Sequence, residues 1–276
     1  MDITSILSKD LYKDKVVFIT GGGSGINLGV AKVFAKLGAK LALCGRTFEK
    51  LEGAKKELEE LGAEVFIQAC DVRDFEGLTS FLKNMKEALG ALDILVCGAA
   101  GNFLCPANKM SENAFKTVID IDLMGTFNAS RAAFSQLKET KGSMIYISAG
   151  QAFIPYFAQC HVGAAKAGID NLMQNLALEW GSYGIRVNSI VPGPIEGTEG
   201  MARLAPGEVG KKLRKMIPAG RMGTKDDIGA AAAFLCSPLA SYITGTVLKV
   251  DGGMNLAGSG LFTALVSEVM ASSSKK

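Results

Sequence analysis

The stretch from Lys15 to Gly38, KVVFITGGGSGINLGVAKVFAKLG, decides the fold of this chain. Residues 15–20 form a short apolar run that predicts a buried strand. Residues 29–38 carry apolar side chains three and four positions apart, which predicts a helix. A glycine cluster lies between them. A strand, a glycine-rich turn and a helix in this order open a βαβ unit, so the stretch predicts an α/β fold.

The same alternation of short apolar runs with longer helical patterns continues along the chain. Further strands are predicted at 40–45, 64–72, 92–101, 142–150, 185–193 and 246–253. Helices are predicted at 48–62, 75–90, 111–138, 161–181 and 226–236. Near-continuous apolar strands are typical of a parallel sheet that is covered on both faces. The sequence therefore predicts a Rossmann-type, doubly wound parallel sheet of about seven strands with helices on both faces.

Linkers, internal repeats and low-complexity segments do not interrupt this pattern, so residues 1–276 are predicted to form one domain. Residues 192–221 are rich in glycine and proline and contain a short basic helix. A long connection at the carboxyl edge of a sheet is often a lid, and we expect a substrate lid at about 194–221.

Composition argues against several classes of protein. The hydrophobic fraction is 48%, which is ordinary for a globular protein. The net charge of +3 is too small to indicate a nucleic-acid partner. The sequence has no apolar run of membrane-spanning length, no secretory signal and no SKL ending. The six cysteines include no CxxC pair and no metal-ligand spacing, which suits free thiols in a reducing compartment. We expect a cytoplasmic protein without a metal and without membrane insertion.

The glycine cluster has the arrangement of a dinucleotide-binding loop. Glycines let the backbone approach a pyrophosphate, and the following helix N-terminus supplies N–H donors and partial positive charge. A tight turn alone is the alternative, but the position after the first strand of a βαβ unit favours a nucleotide site. The residues expected to bind the cofactor here are Gly21, Gly23, Ser24, Gly25, Ile26 and Asn27.

The end of the second strand indicates which dinucleotide binds. An acidic residue there would bind the ribose 2′-hydroxyl and repel a 2′-phosphate. This chain has Arg46 instead, with no acid before Glu49. Because a guanidinium can fork onto a phosphate, the sequence favours NADPH; a solvated arginine at a helix start is the alternative. Asp71 and Val72, at the end of the third strand, are expected beside the adenine.

Several motifs occur together in a fixed order. The loop TGGGSGI, small residues after the fourth strand, a lysine-bearing helix, the segment IRVNSIVPGPI and a late VDGG resemble the short-chain dehydrogenase/reductase family over about residues 12–256. The resemblance implies an oxidoreductase with a nicotinamide cofactor. It adds Ala99, Pro192, Gly193 and Ile195 to the expected cofactor site.

The family's usual active-site set of Asn, Ser, Tyr and Lys is changed here. The lysine is Lys166, but the tyrosine position falls on Val162, the serine position on Ala149 and the asparagine position on Asp122. A valine cannot give a proton, so a carbonyl reductase that uses a tyrosine acid is not expected.

The changed pattern resembles the peroxisomal-type 2,4-dienoyl-CoA reductases, which also lack that tyrosine. The matching stretches are 99–106, 113–117, 120–122 with 125–127, 161–163, 192–200 and 237–242. In that family an aspartate and a lysine hold a water that supplies the proton. These roles map onto Asp122 and Lys166, and Lys166 is also expected to bond the nicotinamide ribose. The resemblance implies NADPH-dependent reduction of a 2,4-dienoyl-CoA to a trans-3-enoyl-CoA, by a dimer or tetramer built on the helices at 111–138 and 161–181.

Four further residues are assigned to the acyl-CoA substrate: Asn102, Phe103, His161 and Thr198. Phe103 and His161 also suit simple packing. The basic run 211–215 suits either the phosphates of coenzyme A or a solvated helix face. For the whole chain, the alternatives are a reductase of another enoyl-CoA or enone, and a non-catalytic NADP(H)-binding protein.

The chain departs from the family at Asn27, where a third glycine is usual. That glycine permits close packing of the helix on the strand. Asn27 is expected either to cap the helix or to donate to a phosphate.

Overall fold

A seven-stranded parallel sheet is the centre of the structure, a computed structural model that describes residues 2–204 and 208–259. The strands are β1 (Val16–Thr20), β2 (Lys40–Gly45), β3 (Val65–Ala69), β4 (Leu92–Cys97), β5 (Ser143–Ile147), β6 (Arg186–Pro192) and β7 (Val247–Val250). Their order is β3-β2-β1-β4-β5-β6-β7, and every neighbouring pair is parallel. The chain winds outward in one direction from β1 and in the other from β4. The predicted doubly wound Rossmann-type sheet is confirmed.

Helices cover both faces of the sheet. They are α1 (Gly25–Lys36), α2 (Phe48–Glu59), α3 (Phe75–Leu89), α4 (Glu112–Val118), α5 (Gly125–Thr140), α6 (Cys160–Trp180), α7 (Glu199–Leu204), α8 (Glu208–Met216) and α9 (Lys225–Cys236). In β1, Val17 and Ile19 belong to the core layer with α1, α2 and α9, whereas Val16 and Phe18 belong to the layer with α3, α5 and α6. All of β1 is buried, which explains its continuous apolar sequence.

Several elements are shorter than predicted: those predicted at 48–62, 92–101, 142–150 and 246–253 are observed at Phe48–Glu59, Leu92–Cys97, Ser143–Ile147 and Val247–Val250. Two further boundaries differ for reasons that the structure shows. The third strand ends at Ala69 instead of residue 72, because the Asp71 carboxylate accepts from the backbone N–H of Arg73 (3.0 Å) and closes a turn. The first helix begins at Gly25 instead of residue 29, so the end of the glycine loop forms its first turn.

The helix predicted at 111–138 is interrupted by a π-helical turn, Ile119–Met124, which joins α4 to α5. Such turns are frequently found at functional sites. Asp122 lies in this turn and is fully buried. Its carbonyl accepts a hydrogen bond from the hydroxyl of Thr126 (2.6 Å) in the next turn. The spacing of apolar residues does not reveal this interruption, because α4, the π turn and α5 follow one another without a break.

The stretch expected to act as a lid, 194–221, contains α7 and α8 and follows β6. The basic run lies in α8, where Arg214 forms an ion pair with Glu196. The side chains of residues 211 and 212, which belong to that run, lie outside the described residues. Across 2–204 and 208–259, we find no helix that is both long enough and apolar enough to cross a membrane.

Candidate active site

A cleft of about 830 Å³ lies at the carboxyl ends of the strands. Its walls include the residues that follow β1, β2 and β3 on one side and β4, β5 and β6 on the other. In doubly wound sheets, ligands bind at this edge, where the strand order reverses. The topology therefore places the candidate site between β1 and β4.

The loop after β1 fits a dinucleotide. Gly21 has a φ of 68°, and a Cβ there would lie 3.0 Å from the Cα of Ala99. Gly25 has a φ of 61° and borders open space, so backbone can approach a ligand there. Ser24, which precedes α1, makes no capping hydrogen bond through its side chain. The helix N-terminus is therefore available to a pyrophosphate.

Asn27 lies in the first turn of α1 and lines the cleft, and its side chain makes contacts that were not expected. Its amide nitrogen donates to the carbonyl oxygens of Gly98 (2.8 Å) and Gly21 (3.2 Å). A Cβ added to Gly98 would lie 2.1 Å from the Asn27 Oδ1 atom. The Asn27 side chain thus links the loop after β1 to the loop after β4. It also fills the space between the Gly98 backbone and α1. Helix capping is therefore wrong, whereas a contact of Asn27 with a phosphate of the cofactor stays a prediction.

Positive side chains gather at one end of the cleft. Arg46 is exposed and lines the cleft after β2, as the sequence analysis expected. Lys50 lines it too, four residues on in α2, and its ammonium lies 2.9 Å from the Glu199 carboxylate in α7. Lys50 was not among the predicted site residues, although its spacing from Arg46 at a helix start was a usable signal.

Asp71 and Val72 also line the cleft. The Arg73 guanidinium donates to the Asp71 carboxylate through Nη2 (2.6 Å) and Nε (3.0 Å), and these bonds lower the pKa of Asp71. The carboxylate is therefore fixed and charged beside the cleft.

Other expected cofactor residues differ in their access to the cleft. Ala99, Ile26, Pro192 and Gly193 line it. Two do not. Gly23 packs against α2, where an added Cβ would lie 3.3 Å from Lys50. Ile195 is buried and pairs through its backbone with Gly223.

Asp122 and Lys166 form a buried ion pair. The Lys166 Nζ atom lies 3.2 Å from the Asp122 Oδ2 atom, and the two side chains are 7% and 0% exposed. Nζ also donates to the carbonyl of Ile147 (3.0 Å), and Asp122 Oδ1 accepts from the backbone N–H of Gly101 (2.7 Å). Oδ2 makes no further hydrogen bond of good geometry. Lys166 lines the cleft and Asp122 lies behind it in the protein interior, so the ion pair is at the inner wall of the cleft.

The position of the usual tyrosine contributes no acid. Val162 is buried against Val118 and Ala165 in a small apolar cluster between α4 and α6. Ala149, at the usual serine position, lines the cleft. The acid that the family usually places here is therefore absent, and Lys166, the cation of the ion pair with Asp122, lies four residues further along α6.

Ser148 follows β5 and lines the cleft. Its hydroxyl donates to the carboxylate of Asp170 (2.8 Å), one helical turn after Lys166 in α6. Burial raises the pKa of Asp170, against the opposing effects of Ser148, Ser189 and Lys166. Asp170 was not among the predicted site residues; its position four residues after Lys166 was the available signal.

The expected substrate residues fall into two groups. Asn102 and Thr198 line the cleft, and Thr198 donates to the carbonyl of Ile195 (2.9 Å). Phe103 and His161 do not line it, and their rings pack together with centroids 4.4 Å apart.

His161 is fully buried, and its ring nitrogens make no hydrogen bond of good geometry. Burial lowers the pKa of His161, against smaller opposing effects of the Phe103 backbone and the Asp122 carboxylate. The imidazole is therefore neutral at neutral pH. In the part of the chain that the structure describes, no group of three or more histidine, cysteine or acidic side chains could hold a metal ion.

Comparisons with known proteins agree with this geometry. A family model described as "Enoyl-(Acyl carrier protein) reductase" matches residues 21–255. A peroxisomal 2,4-dienoyl-CoA reductase from Saccharomyces cerevisiae, named as producing (3E)-enoyl-CoA, is 45% identical over 249 residues, covering 89% of this chain and 85% of the relative. A Bacillus subtilis protein named "Probable 2,4-dienoyl-CoA reductase [(2E)-enoyl-CoA-producing]" is 43% identical over 87% of this chain and 96% of the relative.

Among solved structures, a short-chain dehydrogenase from Bacillus anthracis superposes with a TM-score of 0.82 at 42% identity, covering 89% of this chain and 97% of that one. The chain belongs to the short-chain dehydrogenase/reductase family and is an oxidoreductase that uses a nicotinamide cofactor. Within that family, it is similar to the 2,4-dienoyl-CoA reductases, as its changed active-site set indicated.

Proposed function

We propose that this protein uses NADPH to reduce 2,4-dienoyl-CoA thioesters to (3E)-enoyl-CoA products. The observation that carries the proposal is the buried Asp122–Lys166 pair beside Val162, which stands where a tyrosine acid would be. Relatives that bear the 2,4-dienoyl-CoA reductase name support the same activity. A non-catalytic nucleotide-binding protein would have no need for a buried ion pair at this position.

Residues of the cleft would hold the cofactor in an extended form. Gly21, Ser24 and Gly25 offer backbone to the pyrophosphate at the start of α1. Arg46 and Lys50 together suit a 2′-phosphate, since both are cationic and both line the same end of the cleft. This pairing supports NADPH over NADH. When bound, the nicotinamide supplies a hydride.

Reduction of a conjugated dienoyl thioester needs a hydride at the far double bond and a proton nearer the thioester. Negative charge is delocalised over the carbon chain and the thioester oxygen before the proton arrives. Asp122 Oδ2 and Lys166 Nζ lie 3.2 Å apart and have opposite charges, so a water bound beside them is oriented by both. Water gives its proton to the carbon chain, and the Lys166 ammonium stabilises the hydroxide that remains.

The remaining bonds of the pair keep it in place. The Ile147 carbonyl holds the Lys166 ammonium, and the Gly101 N–H holds one oxygen of Asp122. Because the pair is almost fully buried, its field acts with little screening by solvent. General acid–base assistance of this kind contributes about 10²–10⁴ in rate.

The proposal is tested with a substrate panel. Purified protein and NADPH are given 2,4-hexadienoyl-CoA, trans-2-hexenoyl-CoA or acetoacetyl-CoA, and the products are identified by mass spectrometry and NMR. We expect reduction of the dienoyl thioester, because its charge is delocalised, and little reduction of the ketone, because no tyrosine acid is present. Preferred reduction of the ketone or of the mono-unsaturated thioester would contradict the proposal.

We also propose a homodimer or homotetramer and retain the prediction of a cytoplasmic location. Met124, Phe127 and Leu178 are exposed apolar side chains on the π turn, α5 and α6, and Leu178 is 82% exposed. These surfaces would be covered in an oligomer built on the long helices. Light scattering measures the mass directly, and a monomer at micromolar concentration would overturn this part of the proposal.

A further inference from the structure

Three amide side chains form a hydrogen-bonded chain along the wall of the cleft. The Gln151 Nε2 atom donates to Gln159 Oε1 (2.5 Å), and the Gln159 Nε2 atom donates to Asn102 Oδ1 (3.2 Å). All three residues line the cleft, and Gln159 is only 4% exposed. A buried amide that bonds in both directions is held firmly, because loss of either bond would leave a polar atom unpaired.

Along the chain of amides, each side-chain nitrogen donates to the side-chain oxygen of the next residue. The side-chain oxygen of Gln159 accepts from Gln151, and its side-chain nitrogen donates to Asn102. Asn102 is therefore held through its oxygen. The Asn102 Nδ2 atom makes no hydrogen bond to any part of the protein that the structure describes. Its two N–H groups are therefore available to an acceptor in the cleft.

The proposed reaction needs such a donor. Charge that develops on the thioester oxygen is stabilised by donors that are already oriented. Two nearby donors are engaged elsewhere: the Ser148 hydroxyl donates to Asp170, and the Lys166 ammonium contacts Asp122 and the Ile147 carbonyl. Tyr156 also lines the cleft, and its hydroxyl is the rival donor. The side chain of Ala149, at the family's serine position, carries no hydrogen-bond donor.

We propose that Asn102 donates to the thioester oxygen of the substrate and that Gln159 and Gln151 are positioning residues that hold its amide in this orientation. This inference rests on the proposed function, since it requires an acyl thioester in the cleft. It extends the substrate contact expected at Asn102 to a specific atom. It also assigns a role to two glutamines that the sequence motifs did not mark.

Kinetic comparison of nearly isosteric variants tests the inference. Asn102→Asp replaces the N–H donor by a carboxylate, and Gln159→Glu replaces the group that donates to Asn102. We expect Asn102→Asp to lower kcat with 2,4-hexadienoyl-CoA by about 10²-fold, the usual loss for one oxyanion donor. Gln159→Glu should lower kcat by about tenfold, because Asn102 remains but is free to turn. The Kd of NADPH should stay within about twofold in both.

The matched control is Asn84→Asp, which makes the same chemical change on the surface. Asn84 bonds Gln68 at an exposed site and does not line the cleft. Its kcat should be that of the wild type. Tyr156→Phe is the rival variant, because Tyr156 also lines the cleft and carries a hydroxyl.

A spectroscopic measurement separates positioning from simple packing. Each variant is loaded with NADP⁺ in place of NADPH, so that 2,4-hexadienoyl-CoA binds without being reduced. A hydrogen bond to the thioester oxygen shifts the near-ultraviolet band of the conjugated thioester to longer wavelength. We expect this shift in the wild type and in Asn84→Asp, a smaller shift in Gln159→Glu and none in Asn102→Asp.

The outcomes distinguish a failure of the Asn102 inference from a failure of the proposed function. Turnover and binding by the wild type, with the full spectral shift retained in Asn102→Asp, would overturn this inference and leave the proposed function standing. Loss of the shift in Tyr156→Phe but not in Asn102→Asp would assign the contact to the tyrosine and overturn it as well. A wild type that neither binds nor reduces the dienoyl thioester would refute the proposed function itself.

Discussion

The Asp122 carboxylate lies 3.2 Å from the Lys166 ammonium, and both groups are buried at the inner wall of the cleft. A π-helical turn carries the aspartate and the long helix α6 carries the lysine. Burying two charges is costly unless they pair and each finds further partners. Gly101 and Ile147 provide those partners, so the pair persists where the usual family set has a neutral asparagine.

Replacing Asp122 by asparagine should slow the reaction and leave cofactor binding almost unchanged. The amide oxygen can still accept from Gly101, but the negative charge beside Lys166 is lost. We expect kcat to fall by about 10²–10⁴-fold, the usual range for acid–base assistance. Asp120→Asn is the control, because Asp120 pairs with Lys116 at the surface two residues away. A kcat for Asp122→Asn within about twofold of the wild type would demote Asp122 to a structural residue.

Lys166→Met should destabilise the fold as well as abolish turnover. It leaves the fully buried Asp122 carboxylate without its counter-charge, which typically costs about 3–5 kcal/mol. Urea denaturation at neutral pH measures this loss. The double variant Asp122→Asn with Lys166→Met should recover much of the stability but none of the activity. Equal destabilisation by the single and double variants would show that the charge is not the cause.

Arg46→Ala should weaken NADPH binding and leave NADH binding nearly unchanged. A charged hydrogen bond to a phosphate contributes about 1.5–3 kcal/mol, which corresponds to a rise of roughly 10–100-fold in the Kd of NADPH. Lys50→Ala should act in the same direction with a smaller effect, because Lys50 also pairs with Glu199. Lys55→Ala, on the same helix but paired with Glu59, serves as the control. Equal losses for NADPH and NADH would refute the assignment of Arg46 to the 2′-phosphate.

Asn27 and Gly98 should show strong coupling in stability. In the wild type, Gly98→Ala places a Cβ 2.1 Å from Asn27 Oδ1 and forces that side chain out of its hydrogen bonds. Each lost bond costs about 1 kcal/mol. In the background of Asn27→Gly, the same Gly98→Ala change meets no side chain and should cost much less. Thermal unfolding of the four proteins measures the coupling, and additive effects would disprove this contact.

The start of α9 should make stability depend on pH. Asp227 completes a capping box with Thr224 and binds the Arg221 guanidinium, and these bonds hold its pKa well below the usual range. A carboxyl group with a lowered pKa stabilises the folded state above its unfolded pKa, about 3.9. That contribution is lost as the pH falls further. Asp227→Ala should therefore cost about 1–2 kcal/mol at pH 7 and less at pH 3, whereas Asp226→Ala should cost little at either.

The sequence was sufficient for the sheet, because period and length distinguish buried strands from amphipathic helices. The glycine loop was readable because it lies between a predicted strand and a predicted helix, the context in which such a loop binds a dinucleotide. Asp122 was identified through the family pattern. Its place in a π turn was not, because the π turn Ile119–Met124 lies between two helices that each have an ordinary helical pattern.

Contacts between side chains far apart in sequence were less predictable. The role of Asn27 depends on Gly98, 71 positions away, and no local rule links the two. Gln159 gave no signal because glutamine suits any polar surface, and only the fold shows that it is buried between Gln151 and Asn102. Phe103 and His161 were expected at the substrate; the structure shows their rings packed together, and neither residue lines the cleft.

The most direct test of the account is the rate of nicotinamide oxidation with 2,4-hexadienoyl-CoA, measured by absorbance with NADPH and NADH in parallel. The account predicts rapid oxidation of NADPH, much slower oxidation of NADH, and no oxidation without the thioester. Absence of oxidation with either nucleotide, in a preparation shown to bind NADPH, would contradict the assignment of Asp122 and Lys166 to dienoyl-CoA reduction.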